Sequence, residues 1–227
     1  MAEENGQAGE GPAVAGESKP KLTIDIVSDT MCPWCFVGKK NLEKAMALSK
    51  DKYDFEVIWR PFQLNPDAAK EGKNKRNYYR QKFGEAKTKM IIERMTQVFD
   101  SLGYVYNMDG LVGNSLDSHR LLEFAKEQDK QNEVCEELFL NSFVRAKYNG
   151  DMDNLVEAAE TAGITGAREF LEDPDAGLSQ VRDDLRTYAR GVTGVPHFII
   201  NGQVELSGAQ PPTALLEAFE DALSAVA

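Results

Sequence analysis

The sequence is poor in the residues that build metal centres, disulfide scaffolds or membrane spans. It has two histidines and three cysteines in 227 residues. A structural zinc site needs four ligands at short, matched spacings, and one Cys-x-x-Cys pair, one further cysteine and two scattered histidines offer none. Three thiols cannot staple a chain of this length, and one stays unpaired if the other two bond to each other. No run approaches the roughly 20 apolar residues of a bilayer-spanning helix. Positive charge is short too: 26 Lys and Arg against 37 Asp and Glu give a formal net charge of -11. Such a surface repels phosphate backbones and anionic lipid, so neither nucleic acid nor membrane is expected as a partner. The one basic run, Lys70 to Arg80, reads as a solvated loop and helix start rather than an anion site.

Residues 1–21 carry Glu3, Glu4, Glu10 and Glu17 among Gly and Ala, with no apolar core and no basic bias. That composition fits a disordered acidic tail rather than a secretory or organellar address, and a cytoplasmic protein is expected. In a reducing compartment, close cysteines point to catalysis rather than to a structural bond.

Periodicity begins at Leu22. Leu22, Ile24 and Ile26 alternate with Thr23 and Asp25 as in a half-buried strand. Ser28 to Met31 turns the chain, and Pro33 stands where a helix can start without losing a needed N–H. Leu42, Ala45, Met46 and Leu48 carry that helix to about Ser49. Phe55, Val57 and Trp59 mark a second strand ending at Pro61, and a right-handed crossover would make the two strands parallel. After a loop to Lys75, the pattern is helical almost throughout to Arg190. One face there carries Met90, Ile91, Met95, Val98, Phe99 and Leu102, and Asn114 and Ser115 offer caps for a later helix. Phe198 to Ile200 is then a strand, Asn201-Gly202 a two-residue hairpin turn, Val204 to Leu206 the return, and Pro212 to Ala225 a last helix. The reading is an α/β protein: one sheet domain from residues 22–66 and 191–227, and a helical insertion over 67–190.

The chemistry lies at Cys32-Pro33-Trp34-Cys35. Residues three apart on a helix are neighbours, so the two sulfurs can come within disulfide reach. Cys32, at the cap position, faces unpaired N–H groups and the positive end of the helix dipole, which favour a thiolate. Cys35, one turn in, is shielded and placed to attack a mixed disulfide at Cys32. A Cys-x-x-Cys beside a β-α-β pattern reads as a redox pair; structural zinc and an inert disulfide are the alternatives. Trp34, between the cysteines, is expected to tune them and to contact substrate. Gly194-Val195-Pro196 precedes the third strand, and position alone leaves open a cis proline against the site or a trans proline opening the strand. Asp29 reads as a turn-former, with proton transfer from Cys35 as the catalytic alternative. His119 reads as a satisfied structural histidine and Cys135 as a small buried hydrophobe.

Strand, Cys-x-x-Cys and helix at one end, and Val-Pro, strand, hairpin and helix at the other, resemble the thioredoxin fold, and the helical block resembles its DsbA-like branch. The runs Ser28 to Cys35, Arg60-Pro61-Phe62-Gln63-Leu64-Asn65-Pro66, Ser118-His119-Arg120-Leu121 and Ser207-Gly208-Ala209-Gln210-Pro211 are similar to those of FrnE-type DsbA-like oxidoreductases. The resemblance implies a thioredoxin fold with a large all-helical insertion and thiol–disulfide exchange. It makes Cys32 the nucleophile, Cys35 the resolving thiol and Pro196 a cis proline facing them. It also implies that the Val195 backbone pairs with an extended thiol substrate. His197 departs from the aromatic residue the family leads one to expect there, and is carried as a substrate-contact position. The branch includes kappa-class glutathione transferases and 2-hydroxychromene-2-carboxylate isomerases, which carry serine where Cys32 stands. Its resemblance implies glutathione as a co-substrate held by Val195 and Gln210, with no bound cofactor or metal. A glutathione-dependent transferase or isomerase and a non-catalytic chaperone-like module are the rival functions.

Overall fold

The computed structural model describes residues 19–224. Most of the expected acidic tail, residues 1–18, lies outside the described residues. Its last three residues correct that expectation, because they are ordered. Lys19 Nζ donates to the Lys50 carbonyl at 2.8 Å, the Pro20 carbonyl accepts from the Asp54 N–H at 3.0 Å, and Lys21 opens the first strand.

The chain runs β1 (Lys21–Ser28), α1 (Pro33–Ser49), β2 (Asp54–Pro61), β3 (Lys73–Asn74), α2 (Lys75–Phe83), α3 (Glu85–Ser101), β4 (Leu111–Val112) and α4 (Leu116–Lys126). It continues through α5 (Gln131–Phe143), α6 (Met152–Thr161), α7 (Ala167–Glu172), α8 (Leu178–Tyr188), β5 (His197–Ile200), β6 (Val204–Ser207) and α9 (Pro212–Ser224). The main sheet has the order β2-β1-β5-β6, with β1 parallel to β2 and the other pairs antiparallel. This is a thioredoxin fold of the DsbA-like kind, with seven helices between β2 and β5. That block also holds a two-stranded ladder of β3 with β4, too short to leave a period-two signal.

Register explains the layering. Ile24 pairs with Val57 and Ile200, and Ile26 with Trp59 and Phe198, so one sheet face is apolar from edge to edge. Against it pack α1, α9 and α5: Phe55 meets Phe219 at 5.1 Å between ring centroids and Trp59 meets Phe139 at 5.8 Å. The other face carries Asp25, Arg60 and His197, one residue out of phase. There the Arg60 guanidinium binds Asp25 at 2.7 Å and Asp184 of α8 at 2.8 Å, and lies 3.9 Å from the Tyr188 ring centroid. β2 is an edge strand, and an unpaired edge invites foreign strands. The Gln131 side chain covers it, accepting from the Trp59 N–H at 2.8 Å and donating to the Trp59 carbonyl at 3.0 Å.

Four local expectations are corrected. Asn201-Gly202-Gln203 is a three-residue hairpin loop, with φ of 50° at Asn201 and 67° at Gly202. Leu48 is 73% and Met90 68% exposed, because each lies well around its helix from the buried stripe of Leu42 and Ala45 or of Met95 and Phe99. The Lys70–Arg80 run is not solvated throughout. Lys75 is buried, its ammonium donates to the Ser142 carbonyl, and burial pulls its amine down to about 8 against a smaller opposing pull from Asp109.

Gly38 lets α1 reach β5. A Cβ there would stand 2.8 Å from Pro196 Cγ and 3.2 Å from Phe198 Cζ. Alanine ordinarily gains up to about 1 kcal/mol over glycine inside a helix. Here the overlap with a proline ring and a buried aromatic ring is expected to prevail. Gly38→Ala should destabilise the fold by about 1–3 kcal/mol in urea unfolding; equal or greater stability would show that α1 does not sit this tightly on β5.

Candidate active site

The end of β1, the start of α1 and the start of β5 converge on the two cysteines. Cys32 is the N-cap residue of α1, with extended backbone and no side-chain cap bond, and Pro33 opens the helix. The Cys32 N–H donates to the Asp29 carbonyl at 2.9 Å, and the Cys35 N–H to the Cys32 carbonyl at 3.0 Å. Cys32 is 6% exposed, and its thiol donates to the Val195 carbonyl at 3.6 Å. Cys35 is fully buried, with its thiol against the Cys32 sulfur, the Ser28 side chain and the Asp29 backbone. Burial first, then the Cys32 sulfur, push the Cys35 thiol well up, against the weaker pull of Ser28 and Asp29. Cys32, Cys35 and Cys135 are all free thiols.

The Val195–Pro196 peptide is cis, and the Pro196 ring packs at Gly38 on the α1 side of the sheet. His197, one residue on, faces the opposite side, as alternation along a strand requires. Its Nδ1 lies 2.9 Å from Ser207 Oγ and its Nε2 3.1 Å from Glu205 on β6. The sheet itself therefore separates the His197 ring from the cysteine pair. Gln210 shapes the loop between β6 and α9: its carbonyl accepts from Asn41 of α1 at 2.8 Å, and its side chain donates to the Ser207 carbonyl.

The loop before Cys32 is held from the helical block. Asp29 is buried; its Oδ1 accepts from the Met31 N–H at 3.0 Å and its Oδ2 from the Leu64 N–H at 2.7 Å. Both oxygens serve the turn, and Cys35 meets the Asp29 backbone. Ser118 donates to the Ser115 carbonyl at 2.7 Å, leaving its oxygen to accept from Thr30 at 2.7 Å. His119 Nε2 donates to the Phe62 carbonyl at 2.9 Å and lies 3.9 Å from Asp29 Oδ1. Arg120 pairs with Asp117 within α4 and ties the helix to the carbonyls of Ala176 and Asp173. Cys135 is buried on α5, beside Lys39.

Next to Cys32 opens a cavity of about 450 Å³ that the sequence did not disclose. Cys32, Pro33 and Trp34 line it together with Tyr79 and Phe83 of α2 and Ile91 of α3. Arg94 lies 5.2 Å from the Trp34 ring centroid. The only hint in the sequence was a Tyr78-Tyr79 pair inside the basic run. Among the described residues no group of three or more His, Cys, Asp or Glu side chains is arranged to hold a metal ion, and no helix is long and apolar enough to cross a membrane.

A family model described as a DSBA-like thioredoxin domain matches residues 23–220. The chain is 30% identical over 206 residues to the uncharacterized protein YwbO of Bacillus subtilis (strain 168), covering 88% of this chain and 95% of that one. It is 32% identical to a probable DsbA oxidoreductase from Streptomyces coelicolor, whose crystal structure superposes with a TM-score of 0.81 over 89% of this chain and 90% of that one. The cytosolic disulfide reductase DsbM from Pseudomonas aeruginosa, solved with GSH, shares the fold at a TM-score of 0.54 and 16% identity, over 88% and 99% of the two chains.

Burial lowers the proton affinity of His119, and the nearby Asp29 and the Phe62 carbonyl only partly oppose it. The folded state thus prefers the neutral ring, while the unfolded ring titrates near about 6.5. This stabilisation is complete above that value and is lost as pH falls through the lower folded value. His119→Asn should flatten the decline in unfolding free energy below about pH 6.5. At pH 8 it should cost about 1–3 kcal/mol through the abandoned Phe62 carbonyl. An unchanged slope in urea titrations across pH would remove His119 as the source.

Proposed function

The chain belongs to the DSBA-like thioredoxin domain family, and on that footing we propose that it is a thiol–disulfide oxidoreductase whose redox pair is Cys32 and Cys35. One observation carries the reading. The cysteine that caps α1 touches the Val195 carbonyl, and a second free thiol is buried against its sulfur one turn in.

The Cys32 thiolate attacks one sulfur of a disulfide; the Cys32–substrate bond forms, the substrate S–S bond breaks, and the other half leaves as a thiolate with the bonding pair. Cys35 then loses its proton and attacks Cys32 Sγ, releasing the second thiolate. Two electrons have passed from the cysteine pair to the substrate, and the reverse sequence oxidises a dithiol. Trp34 flanks the attacking sulfur, and the Val195 backbone offers an edge on which an extended substrate docks beside Pro196. Protein and low-molecular disulfides are both within reach of this site. Glutathione is the proposed co-substrate, with no resident cofactor; the support is that the related-fold reductase DsbM was solved with GSH. A cytoplasmic, FrnE-type assignment belongs to the same proposal, supported by the cytosolic related-fold reductase DsbM and by the motif runs around Cys32, Pro61, His119 and Gln210.

Cys32→Ser should reduce insulin-disulfide reduction to the uncatalysed rate, and full activity in that variant would end the proposal. Cys35→Ser should keep the first step and accumulate a mixed disulfide detectable by intact-mass measurement. Because burial holds the Cys35 thiol high, release from a preformed mixed disulfide should quicken with pH. About tenfold per unit is expected while the thiolate remains the minor form. A pH-independent release rate would show that some other group performs the resolving step.

A further inference from the structure

The cavity beside Cys32 extends past anything the redox pair itself requires. Its walls are largely apolar, with Met31, Leu64, Phe83, Ile91 and Met95 among them, and its size suits a small organic group. Asn65, Asp67, Lys73 and Lys82 also border it. The Asp29 carboxylate is occupied by two backbone N–H groups, and Lys82 donates to the Tyr78 hydroxyl at 3.2 Å. Tyr79, on α2, shares the cavity lining with Cys32, and its hydroxyl meets that of Tyr106. The interaction pulls the Tyr79 phenol down and pushes Tyr106 up, as when Tyr106 donates and Tyr79 accepts, which leaves the Tyr79 proton for a donor role.

We propose that Tyr79 is a further catalytic residue, its hydroxyl donating a hydrogen bond to the leaving sulfur of a disulfide whose apolar leaving half occupies this cavity. The inference rests on the thiol–disulfide reading above and names the part of the substrate the site selects. In disulfide exchange the attacking, central and leaving sulfurs lie roughly in line, so the leaving sulfur stands one S–S bond beyond the atom that Cys32 engages. A donor for it must sit across the cavity and not on Cys32 itself. Tyr79 lines the same cavity and is near enough for the Cys32 sulfur to act on it electrostatically, yet no hydrogen bond joins the two. Burial, and then that sulfur, push the phenol up to about 12, so it keeps its proton wherever the enzyme works. As Cys32 bonds to the central sulfur, the leaving sulfur takes the electron pair and becomes a thiolate; the Tyr79 O–H stabilises that charge without giving up its proton.

The experiment uses mixed disulfides that share one half and differ in the leaving thiol, from alkyl thiols to an acidic nitroaryl thiol. The first step is timed by single-turnover kinetics in the full chain carrying Cys35→Ser. An acidic leaving group departs well unaided. Tyr79→Phe should therefore slow the alkyl members on the order of tenfold or more, as expected for a lost bond to a charged sulfur. The nitroaryl member should change by no more than about twofold by the same reasoning. Placing 3-fluorotyrosine at position 79, a stronger donor of the same shape, should speed the alkyl members. An equal loss across the series would reduce Tyr79 to a structural part, and no loss would remove it from the reaction. A protein with intact Tyr79 that reacts with no member would instead overturn the redox reading on which this role stands.

Discussion

The close approach of α1 to β5 is the constraint on which the site rests. The helix that Cys32 caps must come near enough to a strand for Cys32 to touch the Val195 carbonyl while Cys35 sinks into the core. The missing side chain at Gly38 permits this, since the Pro196 and Phe198 rings fill the space a Cβ would need. Strand alternation completes the arrangement. Pro196 and Phe198 point toward α1, whereas the His197 ring is sent to the opposite face, to Ser207 and Glu205.

The helical block helps to build the candidate site and is not an appendage to it. It supplies the residues that hold the loop before Cys32: Ser118 receives Thr30, and His119 donates to the Phe62 carbonyl beside Asp29. Asp29 in turn clasps the Leu64 N–H, so the turn preceding Cys32 and the loop leaving β2 are bound by one carboxylate. Buried polar groups of this kind are costly when unpartnered and specific when satisfied. They fix where the block sits over the sheet, and hence where α2 and α3 line the cavity beside Cys32. Arg60 makes a second such clamp on the far face, joining β1, β2 and α8.

What could be read from the residues divides along sequence distance. The parallel β1–β2 pair, the α1 start at Pro33, the hairpin and the helical run were legible, because each depends on periodicity or on turn chemistry within a dozen residues. The errors had two sources, local phase within a helix or turn and packing from distant segments. Leu48 and Met90 look like core residues by type, yet they fall off the buried stripe of their helices. Lys75 looks like a surface cation within a basic run, yet the Ser142 carbonyl and the Phe143 ring enclose it. The β3–β4 ladder joins two residue pairs far apart in the chain and carries no local signal. Cys32, Cys35, Trp34 and Asp29 were named from local context and lie together around the same turn. His197 and Gln210 were named by resemblance, and their side chains are engaged at β6.

By itself the sequence determined that two cysteines stand one turn apart at a helix start, because helical spacing is local geometry and needs no partner. It also determined that a sheet-forming segment resumes after a long helical stretch. Only the tertiary structure decided what those sulfurs face. The Val195 carbonyl against Cys32, the burial that raises the Cys35 thiol, and Tyr79 in the cavity lining all come from segments distant in the chain. Burial and electrostatic environment are sums over whatever packs nearby, and that neighbourhood exists only after the chain has closed on itself.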